Sequence, residues 1–257
     1  MPPHVKRRGV PQPGSIPEAL DMFRAEVRFY REIAPVVGVR VPVCYHAEAD
    51  DRGTLLELED LAAWRSGAEP VAAARGLTGL HRRWEGQALQ RWPWLRRMGA
   101  AAELVGQVFD DVWSAMAGRA DITPATRAVG DRLAGHVVQA ERAVARVGPV
   151  TLLHGDASLR NLRTSPSGEV AFLDWEDVSA GPGARDLAWL LVSSVEPERW
   201  QEAIAAYGDR PDLTAILPAL LVQGLLSMSG TAEESAEAIA WSRRLDAAAH
   251  LVGETPV

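Results

Sequence analysis

The chain of 257 residues contains a single cysteine, Cys44, and a single lysine, Lys6. One thiol excludes an internal disulfide and a cysteine-cluster metal site, so any bound metal would need oxygen ligands. Long apolar runs are lacking as well. The longest, such as LPALLVQGLLSM, fall well short of the roughly 20 residues that cross a bilayer, which argues against a membrane span. The opening MPPHVKRRGVPQPG has no apolar core of the kind a secretory signal needs, and the expected location is cytoplasmic. Positive charge is in deficit: 27 Lys and Arg stand against 34 Asp and Glu, a formal charge of −7. Nucleic acid is therefore not the expected partner, because phosphate-tracking surfaces gather basic residues on one face. Internal repeats and low-complexity tracts are absent too. What remains, with 47% hydrophobic residues, is the composition of a globular core large enough for one domain or two lobes.

Residues 1–17 hold five of the seventeen prolines and read as irregular, apart from a strand end around Val5 and Lys6. From Pro17, Leu20, Phe23, Val27, Tyr30 and Ile33 recur at helical spacing and predict one helix that stops before Pro35. The alternating stretch VRVPVCYHAEADDRGTLLELEDL carries an Asp-Arg-Gly turn and predicts a hairpin. From Val71 to about Val147 the pattern is mostly helical, with a long second helical stretch from Thr126 and a Trp-rich break at LQRWPWLRR. PVTLLHGD then reads as a strand, and NLRTSPSGEVAFLDWED as a hairpin turning at SPSG. After Gly181-Pro182-Gly183 the chain is helical to the end, and Thr231 with Glu234 fits a capping box. The seam near Glu59 to Leu61 divides a small sheet-bearing part from a larger helical part.

The chemistry concentrates in HGDASLRN. Asp156 follows a strand, Asn161 comes five residues later, and Asp174 lies thirteen beyond that on a hairpin. Phosphoryl transfer from a nucleotide has this requirement: one acid orients and deprotonates an attacking hydroxyl, while an amide oxygen and a second acid hold Mg²⁺ against the phosphates. The plain alternative is a loop whose Asx side chains satisfy local backbone. His154 reads as a structural tie of that loop, His81 and Trp84 as core on one helix face, and Trp92, Trp94, Trp113, Trp189 and Trp241 as mostly core, with one or two of them open to lining a pocket. Glu176 is either a further metal-site acid or a solvated strand end.

HGDASLRN followed by FLDWED resembles the pattern of the aminoglycoside phosphotransferase and choline kinase-like family, and other pieces agree in order. FRAEVRFYREIAP resembles that family's small-lobe helix, TLLELEDL its strand toward the hinge, LTGLHRRWEG its first large-lobe helix, and GPGARDLAWLL the segment after the metal-binding acid. The resemblance runs from about Glu18 to Leu191. It implies an α+β, two-lobed protein-kinase-like fold, with residues 1–60 as a partial nucleotide-side lobe and 61–257 as the helical lobe. It implies Asp156 as catalytic base, Asn161 and Asp174 as Mg²⁺ ligands, Glu26 as the helix carboxylate that orients a lysine, and Lys6 as that lysine on the phosphates. Lys6-Arg7-Arg8 is otherwise a solvated basic start. Asp186 would brace the catalytic loop from behind.

The activity so implied moves the γ-phosphoryl of ATP, or of another nucleoside triphosphate, to a hydroxyl of a small molecule such as an aminoglycoside, amino alcohol or sugar. Relatives carry two strands and a phosphate-covering loop before the lysine, where this sequence has only Met1 to Val5. The competing class is accordingly a kinase-like module that binds a ligand or partner without transferring phosphate. Residues 196–257 carry ten acids and four arginines. That stretch suits a cationic acceptor, or is simply a solvated helical surface.

Overall fold

A computed structural model of the protein describes residues 2–208 and 211–253. The N-terminal part is a three-stranded antiparallel sheet of β1 (His4–Gly9), β2 (Cys44–Ala49) and β3 (Gly53–Leu58), with β3 in the middle. Lys6 pairs with Leu56 in this register, inside a strand longer than the strand end expected from sequence. The predicted hairpin is present. Asp50 Oδ1 accepts from the amides of Arg52 and Gly53 at 2.8 and 3.1 Å, which is how a short polar side chain closes a tight turn.

The helix expected from Pro17 is broken. α1 (Ile16–Ala19) ends at Leu20, and α2 (Met22–Arg28) restarts at Asp21, which takes a left-handed conformation that Asp tolerates better than most residues. The break lets α1 and α2 aim separately, so that α2 buries Ala25, Glu26 and Val27. A widened π turn, Phe29–Ile33, continues α2 and stacks Phe29 on Trp175, ring centroids 4.0 Å apart. Through this contact the helix bearing Glu26 is seated against the segment bearing Asp174.

The remainder is mainly helical. β4 (Arg65–Ser66) leads to α3 (Pro70–Trp84), whose buried face includes Leu77, Leu80, His81 and Trp84. α4 (Ala88–Arg91) and β5 (Arg96–Arg97) follow, then α5 (Ala102–Met116), α6 (Pro124–Leu133) and α7 (Val137–Val144). Gly135, at φ 73°, separates α6 from α7, so the stretch from Thr126 is two helices rather than one. β6 (Val150–Leu153) carries the chain to the HGD loop, and β7 (Leu162–Thr164) pairs with β8 (Val170–Phe172) as the expected hairpin. β9 (Ser179–Pro182) lies between β5 and β6.

α8 (Ala184–Ser194) is buried almost all round and packs on α3, α9 (Trp200–Tyr207), α10 (Leu217–Ser229) and α11 (Ala236–Gly253). The expected capping box does not form. Ser235 Oγ instead accepts from the Ala238 amide at 3.1 Å, while Thr231 donates to the Met228 carbonyl at the end of α10. Glu234 stays outside the helix because its own amide is held by Asp121 at 2.9 Å. No described helix is long and apolar enough to cross a membrane.

Candidate active site

β6 and β8 belong to different small sheets, yet their ends meet. His154 joins them: its Nε2 donates to the Leu173 carbonyl at 2.9 Å and its Nδ1 accepts from the Asp156 amide at 3.2 Å, the arrangement of a neutral imidazole. Gly155 is required between them. Its φ is 89°, and a Cβ there would lie 2.1 Å from the Asp177 carbonyl oxygen. Behind the loop, fully buried Asp186 accepts from the amides of His154 and Gly155 at 2.7 and 3.0 Å, and from His81 Nε2 at 3.2 Å. Burial works against this carboxylate's charge, but His81 and Arg185 overcome it and hold its pKa below the ordinary value. His81 therefore has a partner on each ring nitrogen, since the Tyr207 hydroxyl lies 2.8 Å from its Nδ1.

Asp156 is held from three sides. Trp189 Nε1 donates to Oδ1 at 2.5 Å, Asn161 Nδ2 to Oδ2 at 2.9 Å, and Arg160 to Oδ2 at 3.1 Å. Burial raises the pKa of Asp156, but the Trp189 hydrogen bond and the Arg160 charge outweigh it, so the net shift is downward and the group is ionised at neutral pH. Trp189 is one of the tryptophans that line a pocket. It lies one turn after Asp186 on α8, and an i, i+3 spacing puts both on the face toward the loop, a signal that was available in the sequence.

Lys6, Glu26 and Asp174 come together from β1, α2 and the end of β8. Lys6 Nζ lies 2.7 Å from Glu26 and 2.5 Å from Asp174, with Glu176 at 3.4 Å. Burial pushes Glu26 up to about 7 against the pull of the Lys6 ammonium. For Lys6 burial favours the neutral amine, but Glu26 and Asp174 prevail and its pKa is raised. Asp174 adopts a left-handed conformation, φ 62°, which Asp can take at modest cost and which is concentrated at functional sites.

Oxygens of Glu26, Asp174 and Glu176 lie within 4.8 Å of one another, which adds Glu176 to the acids expected around Asp174. Asn161 reaches the same end of the β7–β8 hairpin, where its carbonyl accepts from the Leu173 amide. Because its Nδ2 is engaged by Asp156, Oδ1 is the atom left to coordinate. Asp174 and Asn161 thus offer the hard oxygen donors that suit Mg²⁺.

Two cavities flank these groups. One of about 600 Å³ is lined by Lys6, Glu26, Asp174 and the chain at Glu59 to Ala62, and also by Tyr30, whose buried hydroxyl has no hydrogen-bond partner. An orphaned hydroxyl there fits a polar ligand. The other, of about 360 Å³, is lined by Asp156, Arg160, Glu176, Asp177 and Trp189. No acid of the stretch 196–253 lines the second cavity among the described residues. Within that stretch Glu196 and Glu198 pair with Arg243. Asp209, Arg210 and Glu254, counted in that stretch, lie outside the described residues.

The family model for the phosphotransferase enzyme family, APH, matches residues 10–219. No curated protein matches the sequence. Among solved structures, aminoglycoside phosphotransferase APH(3'')-Id from Streptomyces rimosus, in complex with ADP and streptomycin, is 18% identical. That match covers 88% of this chain and 87% of that one with a TM-score of 0.58. Choline kinase LicA from Streptococcus pneumoniae is 16% identical over 96% of this chain and 85% of that one, with a TM-score of 0.57. At these identities the likeness is one of fold.

Proposed function

From the premise that the chain belongs to the phosphotransferase enzyme family, whose model spans most of it, we propose that it transfers the γ-phosphoryl of ATP to a hydroxyl of a small molecule. The observation that carries this reading is the placement of the only lysine, ion-paired to Glu26 and Asp174 at the wall of the larger cavity. An ammonium point charge held there is suited to nucleotide phosphates. The ADP bound in the Streptomyces rimosus relative supports nucleotide use. Residues 1–60 then form the nucleotide-side lobe and 61–257 the acceptor-side lobe, with a cytoplasmic location.

In this reading the acceptor hydroxyl enters the smaller cavity and donates to Asp156. Trp189 occupies one lone pair of Oδ1, which leaves another for that proton. As the acceptor oxygen bonds to the γ-phosphorus, its proton passes to Asp156, and the bond from phosphorus to the β-bridging oxygen breaks with its electron pair leaving on ADP. Mg²⁺ held by Asp174 and Asn161 would neutralise phosphate charge. Lys6, oriented by Glu26, holds the phosphates, while Asp186 and His154 keep the loop in shape.

Asp156→Asn tests the assignment. It preserves size and removes the base, so turnover should fall by about 10²-fold or more while stabilisation of the protein by ATP persists. Asn161→Ala should reduce both, because a metal ligand acts in the ground state too. Full turnover by Asp156→Asn would overturn the mechanism.

A further inference from the structure

The strand that carries Lys6 carries a second cation on the same face. Residues two apart on a strand point the same way and stand about 7 Å apart, and in β1 the residue two beyond Lys6 is Arg8. Both side chains reach one atom. Glu176 Oε2 lies 3.2 Å from Arg8 Nη2 and 3.4 Å from Lys6 Nζ. Glu176 lines the smaller cavity while Lys6 and Arg8 line the larger, so this oxygen marks where the two cavities meet. The register of β1 on β3 gives the order along the larger cavity: His4 pairs with Leu58, beside the chain at Glu59 to Ala62, then Lys6 with Leu56, and Arg8 with Thr54. Arg8 is farthest from that chain. Lys6 is also engaged by Glu26 and Asp174, whereas Arg8 has Glu176 as its one ion-pair partner among the described residues. With 42% of the Arg8 side chain exposed, that pair can be exchanged for another anion at little cost. The Phe23 ring, 5.1 Å from the guanidinium, keeps the side chain in place.

We propose that Arg8 is a second phosphate-binding cation, which holds the terminal phosphate of the nucleotide where the two cavities meet while Lys6 holds the inner ones. This rests on the phosphotransferase reading above. If the transferred phosphate is to face the smaller cavity, the nucleoside lies toward Glu59 to Ala62, and the phosphates then run past Lys6 to Arg8. The order along β1 matches the order along the nucleotide. A guanidinium also presents paired N–H donors that fit two oxygens of one phosphate, which an ammonium cannot do. Arg7 lies between the two and faces the other way by the alternation of the strand.

The test is titration calorimetry on the full chain with Mg²⁺ and, in turn, AMP, ADP and the non-hydrolysable β,γ-imido analogue of ATP. Wild type, Arg8→Gln, Arg8→Lys and Arg7→Gln are compared. Arg8→Gln keeps a stem over Phe23 and removes the charge, so affinity for the triphosphate should fall about tenfold or more while AMP and ADP change by less than about threefold. Arg8→Lys keeps the charge without the paired donors and should fall between. Arg7→Gln removes the same charge from the other face and should treat the three nucleotides alike. Melting temperatures without nucleotide should stay within about 2 °C of the wild type, because the lost ion pair is exposed; should Arg8→Gln unfold, Arg8→Lys, which retains a cation for Glu176, carries the comparison. Equal losses for ADP and the triphosphate, a triphosphate loss matched by Arg7→Gln, or an unchanged triphosphate affinity would each overturn the inference and leave the phosphotransferase reading standing. A wild type that binds none of the three nucleotides would instead overturn both.

Discussion

Lys6 and Glu26 show how a single contact can carry two costs. Glu26 has a side chain only 3% exposed, and with the ammonium beside it its pKa already stands at about 7. Removing Lys6 leaves a buried carboxylate that will bind a proton, so Lys6→Met loses both the phosphate contact and the orienting anion. Glu26→Gln leaves the ammonium to Asp174 and Glu176, drawn toward a metal ligand. Each single change should therefore weaken ATP binding by tenfold or more. The double variant should be less impaired than the two losses summed, with a coupling of about 1–3 kcal/mol. Titration calorimetry with Mg²⁺ and ATP on the four proteins measures this, and additive losses would mean that the pair does not act together. Asp156 is the opposite case. Its charge is stabilised by neighbours that stay in place, so its loss should be felt in turnover rather than in binding.

At the scale of the element, the turn from β6 into the catalytic loop has almost no freedom. Asp186 holds its two amides, His154 ties it to the end of β8, and Gly155 passes the Asp177 carbonyl where no side chain fits. Gly155→Ala adds left-handed strain of about 1–2 kcal/mol, together with a steric clash against backbone that cannot swing aside. A loss of about 3 kcal/mol is expected, seen as a fall in melting temperature of about 6–12 °C for a domain of this size, with turnover lost as Asp156 shifts. A melting temperature within about 2 °C of the wild type would show that the loop is softer than its hydrogen bonds imply. α2 has the complementary property. Its break from α1 and its π turn spend helical regularity to bring Glu26 to Lys6 and Phe29 onto Trp175.

Across the whole molecule, the helical body is joined at a distance from the site by a second buried acid. Asp121 accepts from Arg119 Nε and Nη2 at 2.8 Å each and from the Glu234 amide at 2.9 Å, while Arg119 Nη1 donates to the Thr231 carbonyl. The segment between α5 and α6 is thereby tied to the segment between α10 and α11. The Arg119 hydrogen bonds hold Asp121 at a pKa of about 2, below the 3.8 of a free side chain. A carboxylate whose folded pKa is depressed adds stability above its unfolded value, and that contribution is lost as pH falls through the folded one. Asp121→Asn should accordingly lower the urea midpoint at pH 7, with the gap to wild type narrowing between about pH 4 and pH 2. An equal gap at pH 7 and pH 2.5 would show that the ionised form contributes nothing. Asp186, also depressed, adds to acid sensitivity in the same direction.

The order of elements and the identity of the motif were legible in the sequence because they depend on local pattern. Period-two runs and an Asp-Arg-Gly turn specify β2 and β3. SPSG between short apolar runs specifies the β7–β8 hairpin, and HGDASLRN followed by FLDWED specifies the loop. The lone lysine and the helix carboxylate were also visible, but as residues twenty positions apart. Their meeting with Asp174, 168 positions beyond Lys6, depends on how the sheet, α2 and the π turn stack. Two features escaped local reading for the same reason. Helical spacing continues smoothly through Asp21, where packing breaks the helix, and Thr231 and Glu234 match a capping box that the Asp121 contact displaces to Ser235.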